Sequence, residues 1–577
     1  GTPAACARTK CPGRHPPVRK GLRMTSSVFK GVVLTLSALG ILAYSNAVRN
    51  PFVHDDVVFI RQNPAIADLK NLAAVFVQSP VPPEALSAAG DLNIANPYYR
   101  PVLEILYRLQ YRAFGFEPAG YHVVNMAFHV ANGILIFLIF SCLTGRPRFS
   151  WGIAALFLLH PVQSESVACV AGISNLVFSF CVLAGFYCYL RARRGRALAF
   201  FVIGLFAEEQ AIILPFLAVW YECLLRRHQS QGRTVRLAGF ALATAGYFLW
   251  RKLILGGFLP PLIPNWGELL LRIAAVPRMI LTDLRLLILP YDLHYYRSVD
   301  ILAPALWGWA GLLVLCFFCY RVVRFLPKEQ ALLFLFGAGW FLIGIFPTVN
   351  LVVPLVYEYS LLAAFEHFLY LPLAGFLLCA FTAGDHVIRR YFLKNSRRIK
   401  TIVFSVAALA CMLTTLSQNR FWAGEIPLFE RVVAYEPRLG RARLLLGKAY
   451  YERGAHDQAV GELTKTVHIM REYEKKAAAA VRPFYQGFLK ESLALLAQCA
   501  EAQGDLAQAI THDQALLELF PRDAAVWNNM GIIFVRLEDW YEALRHFTEA
   551  VKIDPENETA RQNLERLKQQ RATPPLF

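Results

Sequence analysis

The chain has 577 residues, 56% of them hydrophobic, and a formal net charge of +18. A soluble globular chain is about 45–50% apolar, and the excess here is uneven. Apolar runs of roughly 17–23 residues, long enough to cross about 30 Å of hydrocarbon, recur from Val28 to Leu416 and stop after Gln418, which excludes a wholly soluble protein. The basic charge does not point to nucleic acid. Lys and Arg sit in short loops between apolar runs, as in the positive-inside pattern of membrane topology, and the polar tail has no basic face with interleaved aromatics.

In chain order, residues 1–27 form a basic flank rich in Pro, Arg and Lys, in which the first Met is Met24. The flank is expected to be disordered or untranslated and is set aside from the fold. The run from Val28 has no A-x-A-like cleavage site before a soluble domain and reads as an uncleaved anchor. Basic clusters at Lys20 and Arg23, Arg146 and Arg148, Arg191–Arg196, Arg226–Arg236, Arg321–Lys328 and Arg389–Lys400 mark cytoplasmic ends, and the loops His160–Ser174, Ala207–Gln210 and Pro347–Ala364 are poor in Lys and Arg. The alternation predicts about eleven spans, near 28–46, 121–144, 151–168, 174–191, 196–208, 210–226, 236–255, 301–322, 330–346, 367–387 and 401–417. Residues 268–290 are apolar but carry Arg272, Arg278, Asp283 and Arg285, and read as interfacial or re-entrant helices on the outer side. Of the 12 cysteines, Cys316 and Cys319 have CxxC spacing but stand inside an apolar span, where helix packing explains them better than redox or metal chemistry.

The expected fold is therefore all-α: a polytopic membrane bundle over 28–418, with an outer loop at 47–120, and a soluble helical solenoid over 419–577. An odd number of spans puts the tail and that loop on one outer face, periplasmic or lumenal. The expected site is the bacterial inner membrane, or the endoplasmic reticulum membrane in a eukaryote.

The tail repeats at a period of 34: Ala497, Gly504, Ala509 and Pro521 are followed by Gly531, Glu538, Ala543 and Pro555. Gly447, Gly454 and Ala459 repeat the spacing fifty residues earlier, so about sixteen extra residues are inserted near Glu472–Tyr485. Small residues where two helices cross, and Pro after the second helix, are the tetratricopeptide signature, with units near 440–473, 490–523 and 524–557. Such an array serves either as a protein-binding surface or as a rigid spacer.

Charged groups at membrane depth need a reason. Asp55 and Asp56 follow the first span, Glu165 lies in HPVQSESV, Glu208 and Glu209 in AEEQ, and Glu366 and His367 in FEHFLYLP, all at predicted outer ends and suggesting one polar cavity. A carboxylate pair there can deprotonate a hydroxyl acceptor; equally, Asp55 and Asp56 can simply cap an outer helix.

The stretches FVHDDVVFIRQNPAI, YYRPVLEILYRLQY, GYHVVNMAFH, LFLLHPVQSESVACVAG, EEQAIILP, FPTVNLVVPL and FEHFLYLPLAGF, in that order and followed by the repeats, resemble the transmembrane and tetratricopeptide-repeat-containing O-mannosyltransferases and their bacterial relatives, within the GT-C glycosyltransferases. The resemblance implies a sugar carried on polyprenyl or dolichyl phosphate at the outer face and an inverting attack by an acceptor hydroxyl of a protein or glycan, which the repeats help to present. It implies Asp55 or Asp56 as base, Glu165 near the reaction centre, and Arg100, His122, Glu209, Glu366 and His367 as substrate-binding supports. The implied partners are membrane lipid, the lipid-linked sugar and the acceptor. A divalent metal is compatible with the carboxylates, although no specific metal-ligand spacing is present.

The sequence departs from the family pattern at three places. Glu208 stands where relatives have a Lys, His367 where they have an Arg, and Gln163 where they have a His. Basic groups near a lipid phosphate stabilise the departing anion, so their loss leaves His367, Arg100 or Arg297 as replacements. It also leaves open a non-catalytic scaffold, or an envelope-polysaccharide assembly factor, on the same fold.

Overall fold

The structure is a computed structural model and describes residues 25–77, 99–226, 233–255, 266–349, 356–358, 361–477, 479 and 481–572. The basic flank up to residue 24 and outer-loop residues 78–98 lie outside these.

Helix α1, Ser26–Tyr44, starts at Thr25, whose side chain accepts from the Val28 N–H. Helices α2, Pro101–Phe114, α3, Pro118–Thr144, and α4, Pro147–Leu159, each open on a proline, which needs no N–H in the first turn. The apolar run predicted at 151–168 is interrupted. Pro161 biases His160 to an extended backbone, α4 ends at Leu159, and a 3-10 turn at Pro161–Gln163 leads into the one-turn α5, Ser164–Ala168. The break puts Glu165 on a short helix within the loop, as its expected place at an outer end requires.

Helices α6, Ile173–Leu190, α7, Arg194–Ala207, α8, Ile213–Leu224, and α9, Arg233–Leu255, follow. Residues 268–290 form a single helix, α10, Trp266–Ile288, that runs on through Pro277. Then come α11, Leu306–Phe325, α12, Lys328–Ile345, α13, Pro372–Tyr391, and α14, Ser396–Gln418. Among the described residues, six helices are long and apolar enough to cross a membrane: Ser26–Tyr44, Pro118–Thr144, Ile173–Leu190, Leu306–Phe325, Lys328–Thr348 and Ser396–Trp422. Helix α6 is the buried centre of the bundle, packed against α3 and α7. Helices α11 and α14 carry exposed Leu313, Phe317, Phe318, Val406 and Leu409, as expected of a face turned to lipid. Helices α12 and α13 cross where a Cβ on Gly375 would lie 2.5 Å from the Gly337 carbonyl, so only glycine permits this approach.

Three short strands depart from the all-helical expectation. β1, Ser298–Asp300, β2, Val356–Glu358, and β3, Leu361–Ala363, form an antiparallel sheet in the order β1-β3-β2. They join the loops after α10 and after α12.

The tail is a stack of helix pairs. After α15, Glu425–Tyr435, come α16, Gly440–Glu452, with α17, His456–Lys476; α18, Arg482–Gln503, with α19, Leu506–Leu519; and α20, Ala524–Arg536, with α21, Trp540–Ile553, then α22, Glu558–Ala572. Gly447 meets Leu463 and Gly531 meets Phe547 where paired helices touch. The inserted residues do not form a loop. Helix α17 has 21 residues against 14 in α19 and α21, and α18 has 22 against 13 in α16 and α20. These extra turns accommodate the whole insertion.

Candidate functional site

The two adjacent acids of the first outer loop have different fates. Asp56 is fully buried: its carboxylate accepts from the Val53 N–H at 3.1 Å and from the Ala171 N–H at 2.7 Å, with the Cys169 thiol at 3.4 Å. Burial pushes its carboxyl up to about 7, against these lowering hydrogen bonds. Asp56 thus ties the loop after α1 to the loop before α6. The Asp55 side chain is 38% exposed and accepts from the Tyr295 hydroxyl at 3.1 Å.

His54 sets that divergence. Its φ of +47° is a left-handed conformation costing a β-carbon-bearing residue about 1–2 kcal/mol. Packing sustains it: the ring meets Tyr295, Tyr296 and Phe429 edge-on, and Nε2 is 2.6 Å from the Tyr296 hydroxyl.

A pocket opens beside this loop, with about 310 Å³ of empty space, open solvent included; Glu165, His294, Tyr295, Glu366, Trp422 and Arg431 are among its lining residues. Buried Glu165 accepts from the His367 N–H at 2.9 Å and lies 2.5 Å from His367 Nδ1. Buried Glu366 accepts from the His294 N–H at 2.7 Å and from Arg297 at 3.1 Å. Burial pushes its carboxyl up to about 8, Arg297 opposing and Glu165 adding to the rise. Arg297 also reaches Asp292 at 3.4 Å.

Arg100 is 3.4 Å from Glu208 and 3.9 Å from Glu209, and Glu209 also binds Arg251. Glu208 therefore consumes positive charge. His367 stands within electrostatic reach of Glu208, which sets this cluster alongside the Glu165 group. His122 stands apart from the pocket, buried in α3 with Nε2 3.1 Å from the Asn50 carbonyl, where the chain leaves α1.

The repeat region closes the site. Phe429 packs on His54, Tyr435 stacks on His294 with centroids 5.0 Å apart, and Glu436 accepts from the Ser298 N–H at 2.9 Å. Buried Glu358 of β2 accepts from the Gly440 and Arg441 N–H groups at the start of α16. Tyr295, His54 and Arg431 escaped the sequence reading. The available signal for Arg431 was a basic residue in the aromatic stretch FWAGEIPLFERVVAY, just past the last span. Among the described residues, no group of three or more His, Cys, Asp and Glu is arranged to hold a metal ion.

Fold and site together define a membrane protein with a tetratricopeptide array seated over an acidic pocket. The Tetratricopeptide repeat family matches residues 418–468 and 489–556. Over most of its length the chain is similar to proteins named protein O-mannosyl-transferase. One from Caenorhabditis elegans is 22% identical over 481 residues, covering 80% of this chain and 66% of that protein. Protein O-mannosyl-transferase TMTC3 of Homo sapiens is 22% identical over 644 residues, covering 90% and 67%. Tmtc1 of Drosophila melanogaster is 30% identical over 155 residues, covering 27% and 18%. The chain thus spans about two thirds of the relatives it matches most fully, and the resemblance read from its motifs is met. Among solved structures, the crystal structure of APC/C hetero-tetramer Cut9-Hcn1 covers 84% of this chain and 98% of its own, at 12% identity and a TM-score of 0.23, too low to bear on the architecture.

Proposed function

We propose that the chain is a membrane glycosyltransferase that moves a sugar, mannose by analogy with its relatives' names, from a polyprenyl-phosphate donor to a hydroxyl of a protein or glycan. The observation that carries this reading is Asp55: a partly exposed carboxylate, oriented by Tyr295, which itself lines the pocket containing Glu165 and Glu366.

Asp55 takes the proton from the acceptor hydroxyl as its oxygen bonds to the anomeric carbon. The bond from that carbon to the phosphate oxygen breaks on the opposite side, its electron pair leaves with the polyprenyl phosphate, and the configuration inverts. Burial above all, with Asp55 next, holds the Tyr295 hydroxyl protonated, so it donates to Asp55 and fixes its orientation. Glu165, which lines the pocket, holds His367 in position. The membrane part takes residues 28–418, with about eleven spans, and the repeats take 419–577. The repeats and Asp55 share the periplasmic or lumenal face of the bacterial inner membrane, or of the endoplasmic reticulum in a eukaryote.

The test is transfer of radiolabelled mannose from a polyprenyl-phosphate donor to a Ser/Thr peptide by the purified chain in nanodiscs, wild type against Asp55→Asn. Transfer lost in the variant supports the reading, whereas undiminished transfer in the variant refutes the base. A second reading, the non-catalytic scaffold, draws on the pairing of Arg100, Arg297 and His367 with carboxylates. It gains ground if wild type transfers no sugar from any polyprenyl-phosphate donor.

A further inference from the structure

The cations named so far around the pocket are committed. Arg100 and Arg251 face Glu208 and Glu209, Arg297 faces Glu366 and Asp292, His294 faces Glu436, and His367 faces Glu165. A phosphate entering such a set must share or break an existing ion pair and repay the desolvation of the carboxylate it displaces. Arg431 is different. It lines the pocket from α15, the helix that opens the repeat region. Its Nε donates to the Leu293 carbonyl and one terminal nitrogen to the Tyr291 carbonyl at 3.2 Å, and its guanidinium lies over Phe421 at 4.1 Å and Tyr435 at 5.2 Å. Among the described residues, no carboxylate pairs with it within ion-pair distance.

We propose that Arg431 binds the phosphate of the lipid-linked donor, so that the repeat region completes the donor site as well as meeting the acceptor. This rests on the glycosyltransferase reading for the identity of the anion. A guanidinium has five N–H donors in a rigid plane; the two carbonyl bonds use two, and the fork geometry suits phosphate oxygens. The carbonyls and rings hold that plane in place before any ligand arrives, so little ordering cost remains at binding. The neighbouring acids do not forbid an anion, because Arg297 lies between Glu366 and Asp292 and bonds to both. Glu366 and Asp292 act on Arg431 only beyond ion-pair distance, so its charge is available to make up for that missing at Glu208 and His367. Arg431 comes from a helix beyond the last span, 13 residues after Gln418.

The test uses the wild-type full chain. Phenylglyoxal modification of Arg431 is followed by peptide mass spectrometry, with exposed Arg420 as internal reference. Polyprenyl phosphate at ten times its dissociation constant should slow modification of Arg431 about tenfold and leave Arg420 unaffected, while the neutral polyprenol protects neither. Equal labelling with and without polyprenyl phosphate overturns the proposal, as does protection by inorganic phosphate but not by the lipid. Arg431→Gln should raise the donor KM about tenfold or more with the acceptor KM unchanged, and Arg431→Lys should recover part of the loss, because it keeps the charge without the fork. An equal rise in both KM values would mark Arg431 as a purely structural pin. Protection persisting in a protein that transfers no sugar would sink the enzyme reading and leave the phosphate site standing.

Discussion

Glu165 holds His367 at two points across 202 positions of sequence, through the backbone N–H at 2.9 Å and ring Nδ1 at 2.5 Å. The ring cannot turn without losing this partner. His367→Arg should preserve or raise transfer, because arginine offers Glu165 a planar fork of donors. Glu165→Gln should lower transfer at least about tenfold by releasing that residue. Steady-state rates across a pH series would check both, and a dead His367→Arg enzyme with intact folding would refute the role.

Asp55 and Asp56 should respond oppositely to the same chemical change. Asp55→Asn should cut turnover by about 10²–10⁴-fold with the melting temperature unchanged, because an amide keeps the shape but cannot accept the proton. Asp56→Asn confronts one of two backbone N–H donors with an NH₂ group and should cost about 1–3 kcal/mol of stability. Thermal unfolding alongside transfer assays would separate them; a normal melting curve for Asp56→Asn would show that the buried tie is dispensable.

Three buried carboxyls should contribute less stability as pH rises from about 4 to 8. Burial raises the carboxyls of Asp56 to about 7, Glu358 to about 7 and Glu366 to about 8 in the folded protein, above unfolded values near 4. The folded state then binds more protons than the unfolded one in that window, so its advantage is complete below about pH 4 and lost through pH 7–8. A melting temperature higher at pH 6 than at pH 8.5 is the expected result. Glu358→Gln, which cannot titrate, should flatten the slope.

His54 and Phe429 should be joined by a short bismaleimide when both are replaced by cysteine in a cysteine-free background, since their rings lie 5.5 Å apart. The link would tie the first outer loop to the repeat helix in intact membranes and so put both on one face. Accessibility of the two cysteines from opposite faces, with no cross-link, would reject the shared outer face.

The sequence by itself determined what depends on local periodicity and composition: the apolar runs, the helical repeats, the inserted residues and the acids at span ends. Each of these is written within a few tens of residues, which is the reach of hydropathy and helical spacing. It could not say how the insertion would be accommodated, because extra helical turns and a loop have the same length in sequence. Nor could it tell Asp55 from Asp56. Only the backbone turn at His54, held by Tyr296 and Phe429 from distant segments, exposes one and buries the other. The small sheet, the pairing of Glu165 with His367, and the placing of Arg431 and Glu366 around one pocket are likewise set by tertiary packing. They bring together groups tens to hundreds of residues apart, and the packing that does so leaves no local trace in the chain.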